Sequence, residues 1–174
     1  MADPAGGRAP VAPVVFGLRF AESDTFKSLF REGMTLVEET AAYLDGDGRK
    51  DSKRLTRLGG LTYATESMRL TSRLMQLASW LLLQRAVSEG EMMLEQARLE
   101  RAKVRLRGFD SGMTGPGWND LPQRLRELIA RSMRLQGRIR TIDEAIYQST
   151  ERKPENPVEE QLGRLSAAFG GRMK

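Results

Sequence analysis

The sequence contains no histidine and no cysteine. That removes the imidazole general base, the thiolate nucleophile, any disulfide framework and any Cys/His zinc or iron–sulfur site. Carboxylate, serine, lysine and tyrosine chemistry stays open. Proline is sparse where it matters: between Pro13 and Pro122 only Pro116 interrupts the chain, which leaves room for long helices. Long apolar runs are also missing. The most apolar stretch, Leu74–Leu83, holds eight apolar residues in ten and is closed by Arg73 and Arg85, whereas a membrane span needs about 20. No basic start followed by an apolar run marks a secretory signal. The expectation is a cytoplasmic protein with no membrane partner.

What is present suits a helical protein. A chain of 174 residues with 40% hydrophobic and 29% charged residues has length for one compact domain plus tails. Residues 1–22, rich in Ala, Pro and Gly, read as a flexible arm in which Val14, Val15, Phe16, Leu18 and Phe20 could pack on the body. The domain is expected over 23–149. Its first helix, about 23–45, starts at Ser23 or Asp24, either of which can accept from first-turn N–H groups. Phe26, Leu29, Phe30, Met34, Val37, Ala41 and Leu44 supply its apolar face, and Asp45-Gly46-Asp47-Gly48 ends it.

A second helix is expected over 51–87 with two apolar stripes. One is Leu55, Leu58, Leu61, Met68, Met75 and Leu82, the other Leu70, Leu74, Leu77 and Leu81. Gly59-Gly60 should weaken its start by about 1 kcal/mol each. A short basic helix over 92–107 and a Gly-rich loop from Gly108 to Gly117 come next. The third helix, about 120–148, carries Leu125, Leu128, Ser132, Leu135, Ile139, Ile142 and Ile146 at alternating steps of three and four, a heptad seam. Residues 150–174 read as a disordered tail in which Val158, Leu162, Leu165 and Phe169 keep helical spacing without enough apolar surface to fold alone. Three long helices without strand alternation give an all-α, antiparallel three-helix bundle. The first helix is acidic, with seven acidic and two basic residues from Glu22 to Asp47.

A three-helix bundle buries one stripe per helix, so the second helix has apolar surface to spare around Trp80. A twofold homodimer through Leu74, Leu77, Trp80 and Leu81 would cover it; the alternative is that the 92–107 segment folds back over it. Chemistry-bearing patterns are few. Glu38-Glu39 and Asp45/Asp47 are paired carboxylates better explained by a solvated face and a turn than by acid–base work. The Asp45–Gly48 stretch lacks the later ligands of a calcium loop, and Ser111–Gly117 lacks the Lys-Ser/Thr of a phosphate loop. No catalytic, cofactor or metal site is expected. With a net charge of +5, the basic set Arg98, Arg101, Lys103, Arg105 and Arg107 could meet phosphates. No reading helix or aromatic platform accompanies it, and an acidic protein partner fits it equally well.

The run from Tyr63 to Val87, Tyr-Ala-Thr-Glu-Ser-Met-Arg-Leu-Thr-Ser-Arg-Leu-Met-Gln-Leu-Ala-Ser-Trp-Leu-Leu-Leu-Gln-Arg-Ala-Val, resembles the core signature of the RcdA (regulator of CtrA degradation) family of alphaproteobacteria. Glu89-Gly90-Glu91-Met92, Gly33–Asp45 and Leu121-Pro122 are similar to that family too, so the likeness covers roughly Ser23 to Ile146. The resemblance implies a dimeric three-helix adaptor without enzymatic activity. It would help deliver CtrA-like transcription regulators and other cell-cycle cargo to the ClpXP protease. The implied partners are a CpdR-like response regulator that primes the unfoldase and a cyclic di-GMP-binding, PopA-like protein to which that ligand belongs. Recruitment to the cell pole and a protease-binding role for Val158, Leu162, Leu165 and Phe169 are expectations of the same reading; a small nucleic-acid-associated regulator is its rival.

Overall fold

The computed structural model describes residues 20, 22–104, 106 and 113–151. Every regular element among them is helical: α1 Asp24–Asp45, α2 Asp47–Ser52, α3 Arg57–Ser88, α4 Leu94–Lys103 and α5 Gln123–Glu151. The all-α bundle expected from the sequence is what the described residues form.

The helix ends follow local chemistry. Ser23 Oγ accepts from the Phe26 N–H and starts α1. The second long helix begins at Arg57, not near Asp51, because residues 47–52 close a separate turn of helix and Thr56 Oγ1 then caps the Gly59 N–H at 3.0 Å. Gly59 also permits a close approach, since a Cβ there would lie 3.2 Å from Asp120 Cβ. Beyond α3, the Glu91 N–H donates to Ala86 O and the Gly90 N–H to Val87 O, with Gly90 at φ 73°. This paired bonding with a left-handed glycine stops the helix and turns the chain back.

Directions follow from the pairings. Arg138 meets Glu32 while Arg131 and Arg124 meet Glu39, so α1 and α5 are antiparallel. Gly33 lies against Leu81 and, just past the end of α1, Gly48 lies against Tyr63, so α1 is antiparallel to α3 as well. Arg73 pairs with Ser132 and Trp80 with Asp143, so α3 and α5 run parallel, not antiparallel as the expected three-helix bundle would set them. The segment after α3 carries the chain back along the bundle to make this possible.

The core joins Phe26, Leu29, Leu36 and Tyr43 of α1, Leu70, Leu74, Leu77, Trp80 and Leu81 of α3, and Leu125, Leu128, Ile129, Leu135, Ile139 and Ile146 of α5. The α5 seam read from the sequence is buried except for half-buried Ile142. In α1 the buried face is Phe26, Leu29, Gly33, Leu36, Thr40 and Tyr43. The expected positions Phe30, Met34, Val37 and Leu44 are only half-buried, and Ala41 is exposed. Gly33 decides this rotation: its missing side chain lets Leu81 pack directly on the helix backbone.

Candidate interaction surfaces

No group of three or more potential metal-ligating residues occurs among the described residues; of the candidate carboxylates, Glu39, Asp45 and Asp47 sit in ion pairs and Glu38 is exposed. Glu39 is held by Arg131 and Arg124, and the hydrogen bond from Arg131 holds its carboxyl below the usual range. Asp45 pairs with Arg49, and Asp47 with Lys50. No helix of the described residues is long and apolar enough to cross a membrane.

The basic set is largely neutralised by its own neighbours. Arg98 pairs with Glu95 at 3.0 Å and Lys103 with Glu100 at 2.8 Å. Arg101 points inward: its Nε and an Nη donate to the two oxygens of Asp143 at 2.8 and 2.5 Å. Asp143 also accepts from the Trp80 indole at 2.8 Å, so this trio pins α4 to α3 and α5. Arg105 and Arg107 lie outside the described residues.

The four side chains expected at a dimer seam are occupied within the chain. Leu74, Leu77, Trp80 and Leu81 are at most 4% exposed, so a second copy cannot reach them from this surface. α1 and α5 cover them, and α4 folds back so that Ala97 and Met92 pack on Leu83 and Val87. The stripe left outside on α3 is the other one: Leu61 67%, Met68 71%, Met75 67% and Leu82 52% exposed. These positions repeat every seven residues, with Thr65, Ser72 and Ser79 between them. The row extends about 32 Å at 1.5 Å per residue and is flanked by two grooves.

On the α4 side a concavity of about 710 Å³ is lined by Met75, Ser79, Leu82, Met92 and Gln96, among others. On the α1 side lie two concavities in line. One of about 680 Å³ has Phe26, Phe30 and Met34 opposite Arg85 and Ser88. The other, of about 440 Å³, has Val37, Ala41 and Leu44 opposite Thr71, Leu74, Met75 and Ala78. Periodicity had found the α1 stripe; its place at the groove rather than in the core depends on Gly33. Val158, Leu162, Leu165 and Phe169 fall outside the described residues.

The comparisons with known proteins agree with this architecture. A family model described as "Protein of unknown function (DUF1465)" matches residues 17–169. The chain is similar to the crystal structure of RcdA from Caulobacter crescentus CB15, with 52% identity and a TM-score of 0.62. That match covers 75% of this chain and 97% of the other. No curated protein matches the sequence.

Proposed function

The chain belongs to the RcdA family (DUF1465), and from that premise we propose that it is a non-enzymatic adaptor for regulated proteolysis of cell-cycle proteins. The observation that carries the reading is the uncharged Leu61–Met68–Met75–Leu82 row with a groove on each side. A protein that leaves such a row wet has something to put on it. An adaptor needs no chemistry of its own. Holding cargo and protease together turns a bimolecular encounter into an intramolecular one, with effective concentrations around mM for short linkers.

In this reading the protein delivers CtrA-like regulators and other cargo to ClpXP primed by a CpdR-like response regulator. A cyclic di-GMP-binding, PopA-like protein takes part, and the work is done in the cytoplasm, with recruitment to the cell pole. The protein works as a twofold homodimer whose seam is the exposed α3 row. Fully burying each of its four large side chains is worth about 1.5–3 kcal/mol. The tail face Val158, Leu162, Leu165 and Phe169 folds on the primed protease or another partner. The nucleic-acid rival loses ground because Arg98, Arg101 and Lys103 already hold carboxylates.

The test is degradation of a CtrA-like regulator by ClpXP with primer and cyclic di-GMP-binding partner present, with and without this protein. Acceleration that requires it supports adaptor function. Unchanged degradation, with every other component active, would sink the delivery of that cargo.

A further inference from the structure

Among the described residues no helix lies over the α1–α3 groove, and its walls match a segment of this same chain. Phe30, Met34, Val37 and Leu44 pack against the edge of the core and stay half-exposed, and with exposed Ala41 they form an apolar strip on α1 that lines the groove. Thr71, Met75 and Ala78 of α3 face it, with Arg85 and Ser88 at its upper end.

The geometry of the chain's end leads to that groove. Trp80 and Asp143 are level across parallel helices, and α5 continues from Asp143 to Glu151, about 12 Å further along the axis. The chain therefore leaves α5 level with Ser88, at the upper mouth of the groove. Residues 152–157 can span at most about 20 Å, enough to pass around a helix about 10 Å across. A helix over 158–169 is about 18 Å long, and the α1 strip from Phe30 to Ala41 measures about 16 Å on the same rise.

Charge agrees with the direction this imposes. The first turn of the segment carries Glu159 and Glu160, and the upper groove carries Arg31 and Glu22, together with Lys27 and Arg85, which already pair with Asp24 and Glu89. Arg164 follows one turn later, where Glu38 lines the groove. The family model also extends past the described bundle to residue 169, the last apolar position of the segment, while it leaves out residues 1–16.

We propose that residues 158–169 dock as a helix in the α1–α3 groove of their own chain, parallel to α1, with Val158, Leu162, Leu165 and Phe169 on the strip from Phe30 to Leu44. Docking in this way covers the tail's apolar face and the Met75 flank of the α3 row together. A partner that takes the tail must first lift it from the groove. That regulatory consequence rests on the adaptor reading; the docking itself does not.

The absence of cysteine makes the test direct. In the full chain, Ser166→Cys provides one thiol for a nitroxide, and the methionine methyls are observed by NMR. Met34 and Met75 should lose most of their signal while the nitroxide is oxidised and regain it on reduction, and adding Leu165→Glu to the tagged chain should abolish the loss. No loss at these methyls overturns the proposal, as does a loss that persists in the Leu165→Glu chain. An equal loss in a mixture of tagged chains and untagged, isotope-labelled chains also overturns it, by assigning the groove to a second copy. Because the isolated protein is used, failure here leaves cargo delivery untouched, and failed delivery leaves this result standing.

Discussion

Asp143 accepts from Trp80 and from both ends of the Arg101 fork while itself buried. Removing one partner of such a pair leaves the others uncompensated, and that loss outweighs the net worth of the pair. Asp143→Ala should cost about 3 kcal/mol in urea unfolding, the low end of the range for a broken buried pair, because Arg101 is one-third exposed and can turn to water. Trp80 fluorescence should change with it. Titration sets the two pH limbs. The hydrogen bond from Arg131 lowers the Glu39 carboxyl, so the stability this group contributes is present above its unfolded pKa of about 4.3 and fades as pH falls further. Tyr43 behaves oppositely. Burial, then its hydrogen bond to Asp51, raises its phenol, so its contribution holds below about pH 10 and is lost as pH rises above that. Glu39→Gln should flatten the acid limb of a pH–stability curve and Tyr43→Phe the alkaline limb; unchanged limbs would refute these assignments.

Among the elements, α2 is short and depends on its seat. A Cβ on Gly48 would come within 2.7 Å of the Tyr43 carbonyl oxygen and 2.5 Å of the Tyr63 hydroxyl. The backbone oxygen cannot swing aside, so Gly48→Ala should lose about 1–3 kcal/mol as overpacking does, read from the urea midpoint. The helices differ in how far their faces could be read in advance. The α5 seam was legible because its apolar residues sit on one stripe with charge elsewhere. The α1 face was misplaced by a fraction of a turn because the centre of its true face is Gly33 and Thr40, neither of which registers as hydrophobic. In α3 both stripes were visible, but the inner one includes Glu66, Arg73 and Gln84, so polarity gave no clue to which stripe was covered.

For the whole molecule, the proposed homodimer would couple assembly to stability. If the α3 row is the seam of a homodimer, the melting temperature should rise with protein concentration, and Met68→Glu with Met75→Glu should remove that dependence. The double variant should sediment as a monomer while keeping its helical circular dichroism, since both side chains are already in water. A wild-type chain that sediments as a monomer at all concentrations would refute the seam.

The sequence alone determined the helical class, the start of α1 at Ser23 or Asp24, the α5 seam, the two-stripe character of α3 and the membership of the family, because each is written in local spacing and residue type. Tertiary structure alone decided which α3 stripe faces water, how α1 is rotated, where the basic residues find their partners and that α3 and α5 run parallel. Those outcomes depend on what each helix meets across the bundle. Gly33 against Leu81 and Asp143 between Trp80 and Arg101 are contacts between residues far apart in the chain, and no window along it contains both sides.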